Sequence, residues 1–143
     1  MNRRIAIAGA GISGLSCAWM LADKGHQVHI FSKSFSPNIT SNRAAAFWFP
    51  YHIRNDKRGI EWCRTAYNYY SQLSLNNDTG ISMKTLIKVL RKNVEEDEKE
   101  WIEFMPENSF RIMNETEVDD NIQVAYEIKV PLIETQIFLP WLM

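Results

Sequence analysis

The feature that most constrains the fold is a glycine-rich stretch between two short apolar runs near the start of the chain. Residues 5–8 are apolar and lead into Gly9-Ala10-Gly11-Ile12-Ser13-Gly14. A helical pattern follows to about Lys24, and residues 28–31 form a second apolar run. This order predicts strand, tight turn, helix and strand, which is the unit that presents a helix N-terminus to a pyrophosphate. The chain is therefore predicted to bind a dinucleotide.

The three glycines of this stretch have separate expected roles. Gly9 permits the tight turn, Gly11 lets the backbone approach phosphate oxygens, and Gly14 lets the helix pack against the strands. The free N–H groups of the first helical turn are expected to face the anion. A strand–helix corner without a ligand stays open as an alternative, because glycines also fall at this spacing by chance.

The basic, apolar N-terminus also imitates a secretory signal peptide. Arg3 and Arg4 precede apolar residues, as in the charged region of such a peptide. However, three glycines interrupt the apolar stretch, and the charged pair Asp23-Lys24 follows it at once. The sequence therefore favours a folded dinucleotide-binding turn.

The end of the second apolar run lacks an acidic residue. Such an acid usually accepts hydrogen bonds from a ribose hydroxyl, and here the sequence reads Phe31-Ser32-Lys33. This argues against a plain NAD site. Because a lysine suits a 2′-phosphate, NADP stays open.

Charge and composition argue against a nucleic-acid-binding surface and against a membrane span. Residues 1–60 hold eight Lys or Arg and two Asp or Glu, whereas residues 61–143 hold eight and fifteen. The basic first part suits an anionic cofactor, but its charges are too scattered for a nucleic-acid patch. No apolar run approaches about 18 residues without charge, so no membrane span is expected.

The two cysteines do not form a metal-binding pattern. Cys17 and Cys63 both lie in helical patterns, and there is no CxxC motif or Cys/His cluster. Both are expected to be small buried apolar residues in a reducing compartment, which predicts a cytoplasmic protein without a metal site.

The rest of the chain alternates helical and extended patterns. The first helix is expected over 12–24, with an apolar stripe of Leu15, Ala18, Trp19 and Ala22. A long helix is expected from a cap at Asn55 or Asp56 to about Leu75. Further predictions are a loop at 34–42, a turn at 76–80, a strand at 81–90, a solvated charge run at 95–100, and strands at 110–113, 124–130 and 132–137. A helix is expected to begin at 139–143, with Pro140 near its start.

Three segments together resemble the D-amino-acid oxidase family of FAD-dependent oxidoreductases. The glycine turn resembles the family's FAD-binding turn, which many flavoproteins share. The more specific match is the stretch 40–51, Thr-Ser-Asn-Arg-Ala-Ala-Ala-Phe-Trp-Phe-Pro-Tyr, which resembles the family's flavin-side segment. Residues 126–143 resemble its paired strands and the helix that begins Tyr/Phe-Leu-Pro-Trp-Leu. The resemblance spans the whole chain.

The resemblance implies a set of cofactor-binding residues and FAD as the cofactor. Gly9, Gly11 and Gly14 would hold the pyrophosphate, and Thr40 and Ser41 would line its phosphate and flavin side. The adenosine ribose would meet Ser32, Lys33 and Ser34. The flavin-side residues would be Arg43, Ala45, Ala46 and Phe47, whose backbone would run along the isoalloxazine ring. Ala46 stands where the family often has glycine. No catalytic side chain in this chain is implied.

The resemblance also implies a fold and a reaction. The expected class is α/β, with an incomplete Rossmann-like βαβ unit in residues 1–80 and part of a β-rich substrate-domain sheet in residues 81–143. The family oxidises a D-amino acid or glycine to the imino acid and then the keto acid, and oxygen is reduced to hydrogen peroxide. The expected partners are therefore the amino-acid substrate and oxygen, without nucleic acid or membrane.

The chain is shorter than members of this family, so it is expected to be an inactive N-terminal part of a longer enzyme. Residues 137–143 are apolar and are expected to be uncovered, which predicts a homo-oligomer formed through this segment. Two further alternatives remain: a catalytically inactive dinucleotide-binding remnant, and an NAD(P)-binding domain.

Overall fold

A computed structural model of the chain describes residues 2–51, 56–91, 101–119 and 121–143. The contacts divide these residues into two compact units. Unit 1 comprises residues 1–46, 77–80 and 133–143, and unit 2 comprises residues 47–76 and 81–132. The units are interleaved along the chain, whereas the sequence expectation divided it once, after residue 80.

Unit 1 begins with the strand, helix and strand that the glycine pattern predicts. Strand β1 is Arg4–Ala8, helix α1 is Ile12–Asp23, and strand β2 is Gln27–Phe31. The two strands pair in parallel, with Ile5 opposite Val28. Because parallel strands point the same way, the carboxyl ends of β1 and β2 meet at one edge, where the glycine turn lies.

The segment after β2 contains little regular structure until the long helix. Thr40–Arg43 form a 3-10 turn, and strand β3 is Ala45–Phe47. Helix α2 is Lys57–Leu73, and the Asp56 carboxylate caps it by accepting from the Gly59 N–H at 2.8 Å. The alternative cap, Asn55, lies outside the described residues.

The remaining elements lie in unit 2, except for the end of β6 and helix α4, which belong to unit 1. Their bounds are β4 Ile81–Arg91, α3 Trp101–Phe104, β5 Phe110–Ile112, β6 Ile122–Glu134 and α4 Thr135–Trp141. Strand β6 lies between β3 and β4, and it also pairs with β5 in antiparallel register. The strands predicted at 81–90 and 110–113 are thus confirmed. The charge run at 95–100 lies outside the described residues.

The core of unit 2 is an aromatic cluster between the sheet and its helices. The Trp101 ring meets Tyr126 edge-on, with centroids 5.2 Å apart, and Phe110 at 5.3 Å. Tyr67 of α2 packs into the same core and donates its hydroxyl to the Lys129 carbonyl of β6 at 3.0 Å. These contacts fix α2 against the sheet.

One long strand replaces the two strands predicted at 124–130 and 132–137. Strand β6 continues through Pro131, although proline usually interrupts a central strand. The Trp48 N–H still donates to the Pro131 carbonyl at 2.9 Å, one residue beyond the end of β3. The proline therefore falls where pairing with β3 is ending, and its missing N–H removes little of the ladder.

The last helix begins earlier than predicted. Helix α4 starts at Thr135, directly after β6, and Pro140 is its sixth residue instead of one of its first. The helix ends at Trp141, so the backbone bond that the proline lacks is one of the last in the helix.

The C-terminal apolar segment is partly buried, so the expectation of an uncovered segment holds for only some of its residues. Phe138, Leu139 and Leu142 are buried, whereas Ile137 and Met143 are exposed. The Trp141 ring lies against Trp19 of α1, with centroids 5.5 Å apart. Helix α4 thus buries Phe138, Leu139 and Leu142 in unit 1, and a homo-oligomer formed through residues 137–143 stays a prediction.

Two expectations for the first helix also need correction. Cys17 is exposed, and only Cys63 is buried. In the predicted apolar stripe, Leu15 and Ala18 are buried but Ala22 is exposed. The buried stripe of α1 is thus narrower than the sequence pattern suggests. Among the described residues, no helix is long and apolar enough to cross a membrane.

Candidate functional site

The glycine turn is joined to the end of β2 by a short backbone hydrogen bond. The Gly9 N–H donates to the Phe31 carbonyl at 2.7 Å. Gly9 has φ +103°, a conformation that side-chain-bearing residues rarely adopt. The turn therefore bends sharply at Gly9 and keeps residues 32–34 beside it.

Gly14 allows α1 to approach this turn more closely than any other residue would. A Cβ at position 14 would lie 2.1 Å from the Gly9 carbonyl oxygen. No side chain fits at that distance. The role predicted for Gly14, close packing of the helix, is thus seen directly in the structure.

A cavity of about 360 Å³ opens beside the turn. Three stretches of unit 1 line it: the glycine turn, the end of β2 and the loop before β3. The lining residues are Gly9, Ala10, Gly11, Ser32, Lys33, Ser34, Asn38, Ile39, Thr40 and Ser41. Seven of the twelve residues predicted from the sequence therefore lie around one cavity.

Two residues of the turn that line the cavity have unpartnered backbone N–H groups, and a third N–H group differs from the prediction. Within the described part of the chain, the N–H groups of Ala10 and Gly11 have no hydrogen-bond partner. The Ile12 N–H, expected to be free, instead donates to Ser41 Oγ at 3.3 Å. Because the Ser41 oxygen accepts this bond, its own hydroxyl proton is left to donate elsewhere.

The absence of a side chain at Gly11 leaves an open space beside the turn. A Cβ there would lie 3.3 Å from Ser41 Oγ, which is closer than most such contacts. The missing side chain keeps the space between the turn and Ser41 open. This geometry fits a group that comes against the backbone, as a diphosphate does.

The end of β2 contributes hydroxyl groups and a positive charge. The Ser32 hydroxyl donates to the Ser34 carbonyl at 2.7 Å, which closes the backbone around Lys33. None of the residues that line the cavity is acidic. The cavity therefore carries amide donors, hydroxyl groups and one cation, a set that favours an anionic ligand.

The predicted flavin-side residues lie apart from the lining of this cavity. Arg43 ends the 3-10 turn and is exposed, and Ala45–Phe47 form β3. Ala46, which stands where the family often has glycine, is an extended strand residue, and any residue adopts that conformation. Since the Trp48 N–H points toward β6, the N–H groups of Ala45 and Phe47 point to the opposite edge of β3.

Sequence reasoning missed three lining residues, Ala10, Asn38 and Ile39. Ala10 occupies a variable place within the glycine pattern, and Asn38 and Ile39 lie in a loop without periodicity. The neighbouring Asn42 side chain is buried and donates to Ser36 Oγ at 3.0 Å, which helps to hold this loop. No local pattern signals such a contact.

Comparison with known proteins agrees with this geometry. A sequence model described as FAD dependent oxidoreductase matches residues 4–126. A D-amino-acid oxidase of Rubrobacter xylanophilus is 26% identical over 140 residues, which cover 98% of this chain and 42% of that protein. One from Dictyostelium discoideum is 28% identical over 142 residues, covering 96% and 40%. One from Dugesia ryukyuensis is 38% identical over 76 residues, covering 51% and 23%.

The chain thus spans about two-fifths of the length of the first two of these relatives. The family match covers most of the chain and includes the glycine turn, the end of β2 and the loop that line the cavity. The predicted resemblance is confirmed, and so is FAD as the cofactor of the family. This chain belongs to the FAD-dependent oxidoreductase family.

Proposed function

We propose that the chain holds FAD in the cavity beside the glycine turn, within an enzyme that oxidises a D-amino acid or glycine. The observation that supports this most is the cavity itself, where unpartnered amides and a lysine meet without any carboxylate. The names of the relatives supply the substrate class, a D-amino acid.

The diphosphate contacts in this proposal come from the turn. The Ala10 and Gly11 N–H groups donate to phosphate oxygens, and the positive end of the α1 dipole adds to the attraction. Ser41, held by the Ile12 N–H, directs its hydroxyl toward the same oxygens. Thr40 supplies a second hydroxyl on this side.

The flavin contacts in the proposal come from β3. The outward N–H groups of Ala45 and Phe47 donate to ring heteroatoms, and Ala46 offers a small side chain between them. Arg43 precedes this edge and adds a positive charge. The chemistry that FAD supplies when bound is acceptance of a hydride from the substrate α-carbon, which no protein side chain performs.

Flavin titration of the purified chain tests the binding step. We expect added FAD to be bound with quenched fluorescence. Gly11→Ala should weaken binding by about ten-fold, because its Cβ crowds Ser41 in the phosphate cradle. Cys17→Ala, at an exposed position of the same helix, is the matched control and should leave the affinity unchanged. A folded chain that leaves FAD fluorescence unaltered would contradict the proposal.

Peroxide release by a full-length protein that contains this chain separates the enzyme from a second candidate, a protein that binds the dinucleotide without turnover. The second candidate is favoured by one observation: the residues that line the cavity supply contacts for a dinucleotide, and none of them has a role toward the amino-acid substrate. Peroxide formed with D-alanine or glycine but not with L-alanine supports the enzyme. Tight FAD binding without peroxide from any of them supports the second candidate.

A further inference from the structure

The β2 end of the cavity carries a cation where dinucleotide-binding turns usually place an acid. An acid there accepts hydrogen bonds from the ribose hydroxyls. Lys33 cannot do so, because an ammonium group only donates. Its neighbours Ser32 and Ser34 are neutral, and no Asp or Glu lines the cavity to replace the missing acceptor.

The backbone fixes Lys33 at the same opening as the amide donors. The bond from the Gly9 N–H to the Phe31 carbonyl ties the end of β2 to the glycine turn. The Ser32–Ser34 bond then bends the chain immediately around position 33. A ligand whose 5′-phosphate lies against the Gly11 amide therefore extends its ribose toward this lysine.

We propose that the cavity also binds adenosine nucleotides that carry a 2′-phosphate, with Lys33 paired to that phosphate, so that these nucleotides compete with FAD. This inference rests on the proposed dinucleotide site. A 2′-phosphate brings negative charge and acceptor oxygens to the lysine, and none of the described residues that line the cavity has a carboxylate to repel it. An unmodified ribose brings neither advantage.

Three small nucleotides separate specific recognition from simple charge attraction. The three ligands are adenosine 2′,5′-bisphosphate, adenosine 3′,5′-bisphosphate and AMP. Calorimetric titration into the chain measures the affinity of each. Titration into the FAD-loaded chain measures competition, with the increase in flavin fluorescence as FAD is released as the readout. We expect the 2′,5′ isomer to bind about ten-fold more tightly than AMP at low salt. It should also bind more tightly than the 3′,5′ isomer, which has the same charge.

Variants of Lys33 should change this preference in a defined direction. Lys33→Asp restores an acceptor for the ribose, so AMP should bind at least as well as before, while the 2′,5′ isomer loses its advantage. Lys33→Gln should bring the two affinities close together. Lys24→Asp makes the same change of charge at the opposite end of α1 and should leave the ratio of affinities unchanged.

The outcomes distinguish this inference from the proposed function. If FAD binds but the 2′,5′ isomer is no tighter than AMP, or if Lys33→Asp leaves the ratio unaltered, the inference is overturned and the FAD site stands. If the 2′,5′ isomer binds through Lys33 and FAD does not bind, the FAD proposal and the competition fail, while the assignment of the 2′-phosphate to Lys33 stands. A folded chain that binds none of these nucleotides overturns both.

Discussion

Because Gly14 has no Cβ, helix α1 can lie close to the glycine turn that precedes it. The position of Gly14 against the Gly9 carbonyl leaves no room for a Cβ. The same carbonyl belongs to the residue whose N–H anchors the end of β2. A change at Gly14 therefore disturbs both the packing of the helix and the shape of the cavity.

Gly14→Ala is expected to destabilise the chain by about 1–3 kcal/mol, because the helix must move away from the turn. The affinity for FAD should fall as well. Urea unfolding and flavin titration measure the two effects. Ser13→Ala, at the exposed neighbouring position, is the control and should change the free energy of unfolding by less than about 0.5 kcal/mol. An unchanged unfolding midpoint in Gly14→Ala would show that the helix does not rest on Gly9.

Single residues of the site were predictable where a local pattern required them. The spacing of Gly9, Gly11 and Gly14 indicated their places without any knowledge of the fold. The bond between Ser41 and the Ile12 N–H joins residues 29 positions apart, and it follows from how the loop folds back. Asn38 and Ile39 reach the cavity for the same reason, so the sequence could not identify them.

At the scale of elements, strand β5 is joined to the turn that follows it by a surface ion-pair network. Arg111 makes two hydrogen bonds to the Glu117 carboxylate, at 2.8 and 2.9 Å, and a further one to Glu127 of β6. The Asn114 N–H also donates to Glu117 at 2.7 Å. The hydrogen bonds from Arg111, followed by the one from Asn114, lower the pKa of Glu117 from 4.5 to about 2.

This pKa predicts how the network responds to acid. Because the pKa of Glu117 is lower in the folded chain than in the unfolded one, its stabilising contribution is present above pH 4.5 and is lost as the pH falls toward 2. The stability difference between the wild type and Glu117→Gln should therefore shrink over this range. It should also be small and decrease with salt, since the groups are largely exposed.

Chemical denaturation at several pH values, with NMR titration of the carboxyl group, measures this effect. Glu107→Gln removes an exposed acid of the same unit and is the control for net charge. A Glu117 carboxyl that titrates near 4.5 would mean that the network does not form in solution.

Most elements were predictable from periodicity, and the errors fall where chain direction changes without a turn residue. Strand β6 passes into α4 between Glu134 and Thr135 with no glycine or loop between them. Pro131 suggested a break between two strands, and Pro140 suggested the start of a helix. Strand pairing and side-chain packing instead determine where β6 continues and where α4 begins. Propensity is outweighed there by burial, because Pro131, Ile133, Phe138 and Leu139 are all buried.

At the scale of the whole molecule, the tail contributes to the unit that holds the cavity. Leu139 is fully buried, and the Thr135 hydroxyl donates to the Ala44 carbonyl at 2.8 Å, just before β3. The Glu134 N–H donates to the Gly80 carbonyl at 2.9 Å. Three separate segments of the chain thus share one core.

Leu139→Ala is expected to cost about 2–5 kcal/mol in the free energy of unfolding, because it leaves a cavity in that core. FAD affinity should fall with it, since the loop before β3 is held by the same helix. Met143→Ala removes a comparable apolar side chain from an exposed position and should cost little. Calorimetric unfolding and flavin titration of the two variants provide the comparison. Equal losses in both would contradict the burial of α4.

The interleaving of unit 1 has a consequence for synthesis in the cell. About 90 residues separate its first segment from its last, 133–143. About 120 residues separate the glycine turn from α4, so at a translation rate of ~5–20 residues per second the turn emerges ~6–24 seconds before the helix that packs into its core. During this interval the nascent βαβ unit exposes the apolar surface that α4 later covers. Chaperone contact with this surface during translation should therefore concentrate on this window and decrease once α4 has left the ribosome.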